Sequence, residues 1–102
     1  MSSGVYTLLD NVAVTGPSVT IGFAGRHLWE VIGNFGAGTV TLDILGPDGL
    51  TWSTIKNSLG VAVSDTAPDT DYVHLPAGAI VRATVTGGTP SGLRARLRYA
   101  GT

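Results

Sequence analysis

The feature that most constrains this chain is a period of two. Val40, Leu42 and Ile44 alternate with Thr39, Thr41 and Asp43, and Val81, Ala83 and Val85 alternate with Arg82, Thr84 and Thr86. Near the end, Leu93, Ala95, Leu97 and Tyr99 alternate with Arg94, Arg96 and Arg98. Successive side chains of a strand point to opposite faces, so each run describes a strand with one buried and one wet face. Residues 6–14, 18–23 and 27–32 are further strand candidates, with shorter ones at 51–55, 60–63 and 71–75. Strong turn formers separate them: Gly16-Pro17, Gly46-Pro47-Asp48-Gly49, Ala67-Pro68-Asp69, Pro76-Ala77-Gly78 and Gly87-Gly88-Thr89-Pro90-Ser91-Gly92. With 15 Gly and 5 Pro no stretch can hold a long helix, although one helical turn fits at residues 55–58. Many short strands at near-even spacing predict a single all-β domain, a β-sandwich of jelly-roll type.

At 102 residues the chain is one domain with one thin core. It has no cysteine, so neither a disulfide framework nor a thiolate metal site reinforces that core. The first residues carry no basic segment ahead of an apolar run, so no signal peptide is read there. No apolar run approaches the ~20 residues of a membrane helix, and a membrane partner is not expected.

Charge narrows the function classes. Charged residues make up 13% of the chain, about half the usual share. Lys56 is the only lysine and the net charge is −1. Thr, Ser and Gly stand in for the missing charges. Such a surface repels its own copies weakly and loses little on desolvation, which suits a protein that works packed against other protein. A sequence pI near 6.0 lacks the cationic excess that binding to phosphate needs, so nucleic acid is not expected as a partner.

One hairpin can be set in register from its turn. Pro47 suits the first corner of a type I turn and Gly49 the left-handed position after it, which predicts a three-residue loop with Gly46 opposite Leu50. Ile44 then faces Trp52, Leu42 faces Thr54, and Trp52 is expected in the core.

No constellation for catalysis, a cofactor or a metal is read from the sequence. His27 and His74 fall on different predicted strands, and the trio of Ser64, Asp65 and His74 is of a kind that ordinary composition supplies freely. The loop at 64–71 gathers Asp65, Asp69 and Asp71, but its spacing fits no calcium loop and a solvated turn is the better reading. The seven aromatic residues are scattered, and Trp29 and Trp52 lie in apolar runs that suit a core rather than a carbohydrate platform.

The arginines are the sharpest surface feature. Arg94, Arg96 and Arg98 share one strand face, and Arg82 joins it if the last strand pairs with residues 79–86 through the 87–92 loop. Like charges opposed on a sheet need acid nearby. That acid is either internal, with Glu30 and Asp43 the candidates, or on a partner gripped through bidentate guanidinium contacts. Charge guarding a sheet edge against aggregation is a third role.

Two stretches carry a family resemblance. One is Gly33-Asn34-Phe35-Gly36-Ala37-Gly38-Thr39-Val40-Thr41-Leu42 with Leu45-Gly46-Pro47-Asp48-Gly49-Leu50-Thr51-Trp52. The other runs from Leu75-Pro76-Ala77-Gly78 to Pro90-Ser91-Gly92-Leu93. Together they resemble small β proteins encoded among the virion genes of tailed bacteriophages, whose closest described role is capsid decoration, or cement. The resemblance implies a homo-oligomer, a trimer favoured. It also implies binding to the major capsid protein on the outer surface of the virion, after synthesis in the host cytoplasm, and no catalytic residues. It further implies an N-terminal arm, matched to residues 1–5. Ser2, Ser3, Val5 and Tyr6 are thereby candidate partner-binding residues beside Arg82, Arg94, Arg96 and Arg98. The alternative is a tail or fibre module recognising host-surface glycans.

Overall fold

The computed structural model describes residues 4–101. Nine strands follow one another: β1 (Val5–Val12), β2 (Val19–Thr20), β3 (Gly25–Asn34), β4 (Thr39–Leu45), β5 (Trp52–Thr54), β6 (Ser64–Asp65), β7 (Asp69–Leu75), β8 (Ile80–Thr86) and β9 (Ser91–Gly101). Among the described residues there is no helix. Sheet A has the order β1-β9-β3-β7 and sheet B the order β2-β8-β4-β5, with β6 also pairing β4. The pairs β1·β9, β2·β8, β3·β7 and β4·β5 are those of one long doubled hairpin. Rolling it up brings β9 against β3 and β8 against β4, which is the jelly-roll arrangement the alternation predicts.

The inward faces meet in a single core. Trp29, Val31, Val73, Leu93 and Leu97 of sheet A pack against Val40, Leu42, Val81 and Ala83 of sheet B, all sealed from solvent. Strand β1 adds a local device. Its ladder passes from Thr7 opposite Arg96 to Leu9 opposite Ala95, so Leu8 bulges and two successive leucines are both buried.

Two connections cross between the sheets at one end, β3 to β4 and β8 to β9, and their backbones touch. Thr89 N–H donates to the Gly36 carbonyl at 2.8 Å. A methyl group built on Gly36 would fall 2.2 Å from the Thr89 carbonyl oxygen, and one on Gly88 2.3 Å from the Gly38 nitrogen. The 87–92 segment is therefore a crossing between sheets, not a hairpin. Strand β9 pairs with β1 and β3, β8 with β2 and β4, and Arg82 does not share a face with the other three arginines.

The β4–β5 turn also departs from expectation. Gly46 pairs with Thr51, not Leu50: its N–H donates to the Thr51 carbonyl at 2.7 Å. Leu45 then faces Trp52 and Asp43 faces Thr54, which turns Trp52 to the outer face of sheet B. The cause is Asp48. Its carboxylate accepts the Leu50 and Thr51 amides at 2.9 Å each and the Thr51 hydroxyl at 2.6 Å, drawing one more residue into the loop. Those bonds, the Thr51 hydroxyl foremost, hold the Asp48 carboxyl down at about 2. The helical turn expected at 55–58 is instead a small hairpin, with Lys56 bridged to Ala62 and Asn57 Oδ1 accepting the Leu59 and Val61 amides at 2.9 Å. Residues 60–63 form no named strand, although the Val63 N–H donates to the Ile55 carbonyl at 2.9 Å, and the named strand follows at 64–65.

Adjacent glycines test the crossing. Gly87 and Gly88 both have positive φ, 71° and 59°, but a methyl group on Gly87 meets nothing within 4 Å. Gly87→Ala should cost about 1 kcal/mol, the usual left-handed penalty. Gly88→Ala should cost at least about twice that in urea unfolding, because backbone must move as well. Equal losses would mean that the two connections do not press on one another.

Candidate functional site

The outer face of sheet A is built around β9. Arg98 lies between Val5 and Leu28, Arg96 between Thr7 and Glu30, and Arg94 between Asp10 and Ile32. Two carboxylates serve the three guanidiniums. Arg96 Nε donates to Glu30 Oε1 at 2.9 Å, Arg98 Nη2 lies 3.4 Å from the same oxygen, and Arg94 Nη1 donates to Asp10 Oδ1 at 2.7 Å. Glu30 is thus the expected internal partner, whereas Asp43 sits on the other sheet. Asp10 becomes a candidate only once β1 is known to lie beside β9. Thr7, Asp10, Glu30, Ile32, Arg94 and Arg96 line a shallow depression. Apolar surface is interleaved: Val5, Ile32 and Tyr72 are 40%, 54% and 44% exposed. Arg26 lies over the Tyr72 ring, 4.8 Å from its centroid.

The outer face of sheet B is different in kind. Thr39 stands opposite Thr86, Thr41 opposite Thr84 and also opposite Ser64, which is where the hydroxyl-rich composition is spent. Asp43, nearly buried, accepts the Thr54 and Thr84 hydroxyls at 3.0 and 2.6 Å. Arg82, opposite Asp43 in the ladder, is laid on the Trp52 ring, 4.1 Å from its centroid.

Ser2 and Ser3 lie outside the described residues. Val5 and Tyr6 belong to β1, so residue 5 is sheet and not arm. Tyr6 turns inward, where its hydroxyl accepts the Gly22 and Phe23 amides at 2.9 and 3.2 Å. Close by, the Gly4 carbonyl accepts the Tyr99 amide at 2.8 Å. His27 is sealed beside Tyr6 and Tyr99. Its Nδ1 is 3.0 Å from the Gly25 carbonyl. A carbonyl only accepts, so the proton sits on Nδ1, and Nε2 is a buried acceptor with no partner among the described residues. Burial pushes the imidazole pKa down against the raising effect of that carbonyl.

The trio of Ser64, Asp65 and His74 does not assemble. Asp65 accepts the Trp29 indole N–H at 2.8 Å inside the core, while His74 Nδ1 faces the Ser58 hydroxyl at 3.5 Å on the edge of the other sheet. Nor is the 64–71 segment a plain solvated turn, because Asp65 is nearly buried in β6. Among the described residues, no three His, Cys, Asp or Glu side chains converge to hold a metal ion. The signal for a buried carboxylate was a core tryptophan whose N–H needs an acceptor.

Burial pushes the Asp65 carboxyl up to about 6, with the Asp69 and Asp71 carboxylates adding to it and the Trp29 N–H opposing. Between the unfolded value of ~3.9 and about 6, the folded chain holds a proton that the unfolded chain has lost. This group's contribution is therefore fully present below pH ~4 and is lost as pH rises through about 6. Asp65→Asn keeps an acceptor for Trp29 and removes the charge. It should melt higher than the parent chain above pH 6, with the gap closing towards pH 4; a gap constant with pH would rule this titration out.

No protein-family model matches the sequence, and no curated protein is detectably similar to it. Among solved structures, the crystal structure of the SPBc2 prophage-derived protein YomS is similar, with a TM-score of 0.65 over 91% of this chain and 87% of that one. At 9% identity the likeness is one of fold.

Proposed function

We propose that the chain is a structural protein of a phage virion, one that decorates the assembled head by binding the major capsid protein on its outer surface. The observation that carries this reading is a jelly roll shared over nine-tenths of the chain with a prophage-derived protein. The sequence resemblance to virion proteins and the low charge density support it. In this reading the protein acts by adhesion and not by catalysis. It is made in the host cytoplasm and works as a homo-oligomer, a trimer favoured.

The contact face would be the outer side of sheet A. Arginine beside exposed Ile and Tyr is the composition of an interface centre. Its guanidiniums are already oriented by Glu30 and Asp10, and three of them share two carboxylates, so cationic capacity is left for an acidic partner. A standard interface buries only ~800 Å² per partner. Many copies on a lattice, each joined to its neighbours, would hold more firmly than one contact could.

Three measurements test the reading. Immunogold labelling of particles from the phage or induced prophage carrying the gene should decorate heads; label on tails or fibres would favour the glycan-binding alternative, and unlabelled particles would end the virion reading. Sedimentation equilibrium at micromolar concentration should give three times 10.4 kDa, and a lone 10.4 kDa species would remove the trimer. Changing Arg94, Arg96 and Arg98 together to Ser should cost at most about 1 kcal/mol per exposed ion pair. The same change should lower head occupancy at least about tenfold, and added salt should weaken parental binding. Unchanged, salt-insensitive occupancy would take the arginine face out of the interface.

A further inference from the structure

Arg82 is placed unlike the arginines of β9. Its ladder neighbour is an acid, Asp43, yet among the described residues it has no ion pair. Both Asp43 oxygens are taken by the Thr54 and Thr84 hydroxyls, and the guanidinium lies instead over Trp52. Its Nε is buried and, among the described residues, has no hydrogen-bond partner. A buried donor left unpaired on a charged group is costly, and the structure holds it there by stacking and by cross-strand packing. The four-residue turn braced by Asp48 is what brings Trp52 out to this face.

We infer that Arg82 on its Trp52 platform is a binding site for a carboxylate, supplied by an acidic side chain of a partner protein. A guanidinium held over an aromatic ring, 4.1 Å from its centroid, is already placed, so little rotamer freedom remains to be lost when a carboxylate takes two parallel N–H bonds. The charge needs no rearrangement of Asp43, which stays with its two hydroxyls. The surroundings favour protein over sugar. Arg82 occupies a face of the indole on which a pyranose would stack, and the same face carries the threonine pairs Thr39–Thr86 and Thr41–Thr84 beside Ile80 and Leu45, a low-charge surface that suits packing against polypeptide. This site lies on the sheet opposite the β9 arginines, so a molecule using both would touch two neighbours at once. The inference stands apart from the head assignment, since it concerns the isolated protein.

The test is a titration of ¹⁵N-labelled protein with the blocked tripeptide Ac-Gly-Glu-Gly-NH₂, followed at the Arg82 Nε–H and Trp52 Nε1–H resonances. Both should move saturably, and by more than the Nε–H of Arg26, which lies over Tyr72 without this burial. The glutamine tripeptide should leave them in place. Arg82→Lys keeps the charge and loses the planar fork, and should weaken the peptide at least about tenfold at the Trp52 resonance. No shift, an equal shift with the glutamine peptide, or movement no larger than at Arg26 would overturn the site. Shifts with glucuronic acid but none with the peptide would overturn the protein partner in favour of an acidic glycan.

Discussion

An indole N–H sealed in an apolar core must find an acceptor, and the one Trp29 finds lies across the sandwich. Trp29 belongs to sheet A and Asp65 to sheet B, so their 2.8 Å bond is a polar strut between layers otherwise joined by apolar contact. Hydrophobic packing tolerates sliding, whereas a bond of this kind fixes which residue stands over which. It also explains the short strand β6, which pairs with β4 for only two residues yet delivers the carboxylate. The cost of that arrangement is a buried acid beside Asp69 and Asp71, which resists ionisation.

The two outer faces answer the same need, covering a sheet with few charges, in different ways. Sheet A concentrates arginine on its central strand β9 and supplies carboxylates from both neighbours, β1 and β3. Sheet B pairs hydroxyls across the ladder and isolates a single arginine on a tryptophan. Neither face resembles an ordinary solvated exterior of interspersed lysine and glutamate.

Period-two alternation carried the architecture, because burial of one face imposes it on every strand long enough to display it. The misreadings share a cause: each depended on a contact between residues distant in sequence, or on a side chain acting as backbone. Pro47-Asp48-Gly49 suits a three-residue loop until the Asp48 carboxylate captures Thr51, and that one extra residue sends Trp52 to the opposite face. The 87–92 glycines suit a hairpin as well as a crossing; what decides is the pressure of Gly88 on the Gly36–Gly38 backbone, fifty residues earlier. Asp65 reads as a loop acid because nothing local reveals the indole above it. The β9 arginines were legible as a face, but their partner Asp10 was not, since first and last strands meet only in the folded molecule.

That meeting also sets an order of events. Strand β9 is the last of the sandwich to leave the ribosome, yet it sits inside sheet A, hydrogen-bonded on both sides. Until it arrives, β1 and β3 have no common neighbour, and the apolar faces of Leu9, Trp29 and Val31 lack the strand that joins them. Closing contacts across nearly the full chain length is slow compared with forming local hairpins. Sheet B can complete its ladders from residues that precede β9, whereas sheet A without β9 keeps open edges on β1 and β3, so the closing of sheet A depends on the strand that comes last in the sandwich.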